Sequence, residues 1–489
     1  MANTIDQDYL AKRQLKKGTA GWVLLAGLGV SYVISGDFAG WNFGLAEAGW
    51  GGFAIAAALM ATMYFALVLS LAEMSAAIPA AGGGYSFARQ TMGTTGGYLT
   101  GLAVLIEYAL APAAIVIFIG AAVEELLGIN GPLVYAVFYA IFIGIHLAGV
   151  GEALKTMMII SGLAVVAILA TAVALIGDFE TANLFNIAPT EAAGASEILP
   201  FGWYGVWAAL PFAMWLFLAV EGVPLAAEEA RNPARDVPKG IIGAMIFLLF
   251  TAALVMFLLA GAAGADVISA SGVPLVDALK ATGSGELATA INVLGLAGLI
   301  ASFFSVIYGY SRLVFALSRA GYLPKFLSLT SKRKAPTWAL IVPGVFGFAA
   351  SLTGEGDLML GMAVVGATIS YALMSLSHIL LRLRRPELKR PYKTPGGILT
   401  SSIALVLSLV AMTGVYAFDP RAFNYTLILF VIGAIYFFAY GKRHLVAKSA
   451  EEELALILDA EHDLDEMDAE ANTSTEEPTV SLQAETPRA

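Results

Sequence analysis

The chain contains twelve long apolar segments, and they constrain its fold more than any other feature of the sequence. A helix needs about 20 mainly apolar residues to cross the hydrocarbon core of a bilayer. Hydrophobic residues make up 58% of the sequence and charged residues only 13%, against about 25% in soluble domains. We therefore predict an all-α integral membrane protein with twelve transmembrane helices, at residues 19–45, 50–78, 96–123, 132–150, 154–177, 203–222, 240–263, 287–317, 337–354, 358–381, 398–417 and 423–441.

Lysines and arginines are distributed unevenly between the two sides of the predicted bundle. An even number of spans puts both termini on one side, and of the 27 basic residues only Lys280 and Arg421 fall on the other side. Because cytoplasmic loops are enriched in basic residues, we predict a multi-pass protein of the plasma (inner) membrane with both termini cytoplasmic. We expect a cytoplasmic N-terminal segment at 1–17, a twelve-helix domain at 18–445, and an acidic, largely disordered cytoplasmic tail at 446–489.

Four acids lie within the apolar segments: Asp37 in the first, Glu107 in the third, Glu221 at the end of the sixth, and Glu73 near the predicted cytoplasmic end of the second. An intramembrane acid marks a functional site by default, and it usually has a basic partner. The deep parts of the predicted spans contain no lysine or arginine. Each acid is therefore either protonated in a helix contact, held by backbone and hydroxyl donors, or open to a cationic solute.

The first and sixth segments carry helix-breaking residues beside their acids. Gly36 and Gly40 flank Asp37, and Pro224 follows Glu221. Glycine permits unusual backbone angles, and proline cannot continue helical hydrogen bonding. Interrupted spans at positions one and six are typical of a five-plus-five inverted repeat with a binding site at the interruptions.

Four stretches resemble motifs of the amino acid–polyamine–organocation (APC) permease superfamily. They are "AEMSAAIPAAGGGYSFAR" in the second span, "FLAVEGVPLAAEEARNPARDVPKGI" at the sixth, "YSRLVFALSRAGYLPK" at the eighth and "LRLRRPELKRPYKTPGG" after the tenth. The resemblance covers residues 18–445. It implies a LeuT-like fold with repeats formed by spans 1–5 and 6–10, a substrate site at the broken helices 1 and 6, and transport by alternating access.

The first break departs from the family pattern. Many members carry Gly-Ser-Gly there, whose N–H groups hold the carboxylate of an amino acid, whereas the matching residues here are Gly40, Trp41 and Asn42. A fixed acid beside a weakened carboxylate site favours an amine that lacks a carboxylate. The pattern is similar to the ethanolamine permease branch, which implies a secondary active transporter importing a small organic amine, ethanolamine first among them. The expected substrate-binding residues are Asp37, Phe38, Ala39, Gly40, Trp41, Asn42, Glu107, Trp215 and Ala219.

A proton is the expected coupling ion, because Glu221 matches a family glutamate implicated in proton-dependent gating. Sodium is the alternative, since some relatives hold it with hydroxyls of span 8. Ser302 and Ser305 lie three residues apart there and share a helix face, although serines in membrane helices more often bond to their own backbone. Uniport and exchange also remain open.

Other functions fit the sequence less well. Within the superfamily the alternative is an amino acid or polyamine permease or exchanger, and outside it a channel or a transport-like sensor. The sequence has no cysteine, no HExxH and no Gly-x-Ser-x-Gly motif, so neither an enzyme nor a metal site is expected. The expected partners are the lipid bilayer, the cationic amine and the coupling ion; no cofactor and no nucleic acid are expected.

Overall fold

The computed structural model describes residues 18, 20–78, 82–148, 153–331 and 333–447. These residues form helices joined by turns and loops, with only two isolated β-bridges among them. The prediction of an all-α protein is therefore confirmed. The predicted N-terminal segment at 1–17 and the predicted tail after Ala447 lie outside the described residues.

The α-helices are α1 (Trp22–Val33), α2 (Ser35–Phe38), α3 (Phe43–Ala77), α4 (Gly84–Leu127), α5 (Pro132–Ala148), α6 (Ala153–Leu175), α7 (Thr181–Leu184), α8 (Gly202–Ala208), α9 (Leu210–Trp215), α10 (Pro233–Ala263), α11 (Ala265–Ser269), α12 (Pro274–Ala281), α13 (Gly285–Arg319), α14 (Thr337–Ser351), α15 (Gly356–Arg384), α16 (Ile398–Phe418) and α17 (Pro420–Ala439). Short 3₁₀ helices occur at Ile176–Asp178, Val220–Glu229, Lys325–Ser328 and Gly441–Arg443.

Nine helical stretches of the described residues are long and apolar enough to cross a membrane, and each coincides with a predicted span. The other three predicted spans, the first, fourth and ninth, correspond to shorter apolar helices at Trp22–Phe38, Pro132–Ala148 and Thr337–Ser351. The helices therefore fit a multi-pass membrane protein, and the full count of twelve spans stays a prediction.

Two glycines kink long helices near the predicted starts of the second and third spans. Gly49, with a φ of +66°, separates the end of the first predicted span from the second within α3. Gly93, with a φ of +71°, kinks α4, which begins at Gly84 rather than at the predicted residue 96. Both angles lie in the left-handed region, which glycine enters at little cost because it has no Cβ.

The helix of the first predicted span is interrupted, as its glycines predicted. α1 ends at Val33, α2 follows as a single turn, and residues 39–42 then form turns before α3 begins. Ala39 is extended, with φ −160° and ψ 156°, and Gly40 has a φ of +95°.

The sixth predicted span is interrupted as well. α9 ends at Trp215, and Ala219 adopts a left-handed conformation with a φ of +75°. The 3₁₀ helix Val220–Glu229, which contains Pro224, continues the span. The sequence placed this break at Glu221 and Pro224, whereas the helix already ends at Trp215. A left-handed alanine is strained, so packing around Ala219 must hold it there.

The interrupted segments lie in the interior of the bundle. α1 packs against α10, α13 and the 3₁₀ helix Val220–Glu229, while α4 packs against α13 and α15. Large exposed apolar side chains are frequent on α16 and α17, as on helices that face lipid. The tyrosines buried in the interior include Tyr32, Tyr64, Tyr108, Tyr308 and Tyr371.

Candidate functional site

The two breaks contact each other through backbone. A Cβ added at Gly36 would lie 2.7 Å from the carbonyl oxygen of Trp215, so only glycine permits this approach of α2 to the end of α9. The indole Nε1 of Trp215 donates a hydrogen bond to the Ala39 carbonyl at 3.0 Å. Trp215 therefore ties the sixth-span break to the first-span break, in the place where a substrate was predicted.

A small cavity lies beside this contact. Its lining includes Tyr32 and Ser35 of the first span, Ala111 of the third, and Trp215 and Ala219 of the sixth. The cavity measures about 10 Å³, room for roughly one water molecule. The protein is therefore closed around the breaks. A substrate needs a conformation in which α1, α4 and α9 stand further apart.

Asp37 is buried beside the cavity without lining it. The residue is 2% exposed, and neither carboxyl oxygen has a hydrogen-bond partner among the described residues. Thr251 of α10 neighbours this carboxyl, but its hydroxyl donates to the Leu248 carbonyl at 3.2 Å. An unpaired carboxylate in an apolar interior is costly, so this position favours a bound cation or a proton.

Glu107 and Glu221 come together through a tyrosine. The Tyr371 hydroxyl lies 2.8 Å from Oε2 of Glu221 and 3.1 Å from Oε1 of Glu107. The Tyr108 hydroxyl donates to Oε1 of Glu221 at 2.8 Å, and the Tyr64 hydroxyl lies 3.3 Å from that of Tyr371. We call Glu107 and Glu221 the carboxyl pair. The sequence singled out each acid separately and missed the tyrosines, because an aromatic residue in a span usually indicates packing.

The remaining residues of the first break contact other parts of the protein. Asn42 donates through Nδ2 to the carbonyls of Ile268 and Ser271, at 3.0 and 2.8 Å, and its Oδ1 accepts from Gly40 N at 3.2 Å. The Trp41 ring packs on Phe53 with centroids 5.7 Å apart. Phe38 and Ala39 line a second small cavity together with Phe118 and Asn292. Residues 37–42, all predicted to bind substrate, thus contact different parts of the protein.

The two serines of the predicted ion site have different partners. The Ser302 hydroxyl donates to the Ser31 carbonyl at 2.8 Å and accepts from Ser35 N at 2.9 Å. The Ser305 hydroxyl donates to the carbonyl of Ala301 in its own helix at 2.7 Å. Ser302 is therefore bonded across to the first span, while Ser305 is bonded within α13 and also lies 3.1 Å from the Met157 sulfur of α6.

A buried ion pair joins the sixth span to α13 toward the predicted cytoplasmic end. Arg312 holds Glu229 at 2.6 Å, and the Tyr308 hydroxyl donates to the other carboxylate oxygen at 2.7 Å. The Glu229 carbonyl accepts from Ala20 N at 2.9 Å, and Arg231 N donates to the Ala20 carbonyl at 2.8 Å. These contacts hold Ala20, which precedes α1, to the end of the sixth span, and hold that end to α13. No separate signal in the sequence indicates this pairing.

An all-helical membrane bundle with two interrupted helices that meet at buried acids is the architecture of a polytopic transport protein. Residues 21–437 match the family model described as amino acid permease, and the chain therefore belongs to this family, within the APC superfamily. The membership confirms the predicted superfamily and transport function, and it confirms that the chain is not an enzyme.

Several curated relatives extend over most of this chain. An uncharacterized transporter of Rhizobium meliloti is 26% identical over 421 residues, which cover 84% of this chain and 89% of the relative. The branched-chain amino acid permease BcaP of Bacillus subtilis is 26% identical over 77% of this chain and 83% of its own length. The methylthioribose transporter of the same organism is 25% identical over 76% of this chain and 82% of its own length.

Proposed function

We propose that this chain imports a small organic amine, with ethanolamine as the first candidate, by alternating access around the two breaks. One observation carries the proposal: three buried carboxyls, Asp37 and the carboxyl pair, lie at or near the breaks, and none of their hydrogen bonds or ion pairs among the described residues is with lysine, arginine or histidine. A cationic substrate supplies the positive charge that these carboxyls lack as a partner.

Electrostatics favour an amine over an amino acid. Burying a charge is costly unless it is paired, so a cation gains from the acids while a substrate carboxylate is repelled by them. The backbone N–H of Gly40 already donates to Asn42, which leaves less of the first break free to hold a carboxylate. Relatives named for branched-chain amino acids and for methylthioribose show that family membership alone does not select the substrate.

The ammonium binds between the first and sixth spans once the cavity widens. Asp37, which lies beside the cavity, and the carbonyls near Phe38 and Ala39 offer the negative charge, and Trp215 lines the cavity itself. An aromatic ring attracts an ammonium by about 0.5–2 kcal/mol. The remaining substrate-binding candidates are Gly40, Trp41, Asn42, Glu107 and Ala219.

The coupling ion is a proton held on Glu221. Two carboxylates joined by one hydroxyl in a water-poor interior do not both stay ionised, because each disfavours the charge of the other. A proton taken up or released there with each cycle links the sixth-span break to the pH on either side. A sodium ion at Ser302 and Ser305 is the second candidate.

The protein lies in the plasma (inner) membrane with both termini cytoplasmic and a LeuT-like repeat of spans 1–5 and 6–10.

Uptake into proteoliposomes tests the substrate. Ethanolamine, alanine, a branched-chain amino acid and putrescine compete for uptake of labelled ethanolamine, under proton and sodium gradients imposed separately. We expect ethanolamine to compete best and a proton gradient to drive uptake. Asp37→Asn should raise the KM for ethanolamine at least about tenfold, because the neutral amide no longer attracts the charge of the ammonium. Asp178→Asn, at an exposed position, is the matched control.

Four results contradict the proposal or part of it. Binding that requires a substrate carboxylate favours the amino acid permease instead, and preference for putrescine favours a polyamine permease. Unchanged ethanolamine affinity in Asp37→Asn removes Asp37 from the site. Single-channel currents in planar bilayers would identify a channel.

A further inference from the structure

The Ser302 side chain of α13 is inserted between two backbone groups of the first span. In an uninterrupted α-helix the N–H of residue 35 bonds to the carbonyl of residue 31. Here Ser302 Oγ accepts from Ser35 N at 2.9 Å and donates to Ser31 O at 2.8 Å, both bonds fully buried. A side chain inserted into the helical ladder in this way bends or opens a helix, and α1 ends and α2 begins at this point.

The same face of α13 also receives the other end of α2. Gly295, Gly298 and Ser302 recur at helical spacing along α13 and share one face. A Cβ added at Gly295 would lie 3.0 Å from the Phe38 ring, and one at Gly298 would be closer still. The first residue of α2, Ser35, is therefore held by a hydrogen bond to α13, and its last residue, Phe38, is seated on the two glycines.

We propose that Ser302 is the positioning residue of the first break. Its hydroxyl holds the span open at Ile34 and so fixes the direction in which α2 carries Asp37 toward α10. Ser305 has no such role, because its hydroxyl bonds to Ala301 in its own helix and to the Met157 sulfur of α6, and not to the first span. The donor of Ser302 is committed to Ser31, so the side chain acts on the backbone of the first span rather than on a solute.

Thiol labelling tests the positioning without reference to any substrate. The sequence contains no cysteine, so Ala39→Cys, at a 4% exposed position in the break, provides a single thiol. In this background we expect Ser302→Ala to change the maleimide labelling rate at least about fivefold, because two buried hydrogen bonds are lost. Ser302→Thr keeps the hydroxyl, so its labelling rate should stay within about twofold of the rate of the Ala39→Cys parent. The labelling rate of Ser305→Ala should also stay within about twofold of that parent rate.

A second comparison guards against misfolding of the alanine variant. Threonine and valine have nearly the same volume and differ here by the hydroxyl, so Ser302→Thr and Ser302→Val repeat the test at constant packing. A labelling rate that is the same in Ser302→Thr and Ser302→Val, or one that is unchanged in Ser302→Ala, overturns the proposal.

Transport measurements separate positioning from ion binding, and this readout alone rests on the proposed function. We expect Ser302→Ala to raise the KM for ethanolamine at least about fivefold with the response to sodium unchanged. Loss of a sodium-driven component at an unchanged labelling rate overturns the positioning role in favour of an ion ligand. If ethanolamine is not transported by the parent protein, the proposed substrate fails while the labelling result still decides the role of Ser302.

Discussion

Replacing Glu229 by glutamine is expected to open the predicted cytoplasmic end of the protein. The side chains of Glu229 and Arg312 are 3% and 2% exposed and lie 2.6 Å apart. Removing one partner of such a buried pair leaves the other charge unpaired, at a cost of about 3–5 kcal/mol. A conformation in which water reaches Arg312 avoids much of that cost, so the equilibrium moves toward it. If only about 1.5 kcal/mol acts on this equilibrium, the ratio of open to closed protein rises about tenfold.

The absence of cysteine from the sequence makes the opening measurable with one introduced thiol. Ala20 is fully buried, and its N–H donates to the Glu229 carbonyl, so Ala20→Cys reports on this end of the bundle. We expect Glu229→Gln to raise the maleimide labelling rate of this thiol at least about tenfold. Glu228→Gln is the matched control: Glu228 pairs with Arg319 at 2.7 Å, but these side chains are 13% and 10% exposed. More hydrated pairs contribute less, so we expect a change below about threefold.

Two outcomes refute this reasoning. The first is an unchanged labelling rate in Glu229→Gln while the thermal transition shows a folded protein, since the buried pair then does not hold this end closed. The second is an equal rise in Glu229→Gln and Glu228→Gln, since burial of the pair then does not set the size of the effect.

Three further substitutions test the contacts of the breaks. Gly36→Ala places a Cβ 2.7 Å from the Trp215 carbonyl and should lower the free energy of unfolding by about 1–3 kcal/mol, whereas Gly243→Ala meets nothing closer than 3.9 Å and should be neutral in the same thermal melts. Trp215→Phe removes the hydrogen bond to Ala39, worth about 1 kcal/mol, and should raise the KM for uptake about fivefold; an unchanged KM contradicts a role at the site. Tyr371→Phe removes the hydroxyl between the two carboxyls and should cost about 2 kcal/mol in unfolding free energy; an unaltered melt would contradict this.

Much of the fold follows from the local sequence. Apolar runs of span length predict the helices, and the nine long membrane helices of the described residues all lie where such runs occur. Glycine and proline beside an acid predicted both interruptions, because these residues change the backbone wherever they stand. The exact start of the sixth-span break escaped prediction, since Ala219 is held in a left-handed conformation by its surroundings and not by its own preference.

The sequence by itself determined that this is a many-helix membrane protein of the amino acid permease family with acids at two broken helices. Only the tertiary structure decided which polar groups meet: Tyr371 lies 264 positions from Glu107 and 150 from Glu221, and Ser302 lies 267 from Ser35. The physical reason is that a membrane helix is apolar both toward lipid and toward its neighbours. Its sequence pattern therefore reveals where a span lies but not how the helix is rotated about its own axis. This rotation decides which side chains reach one another.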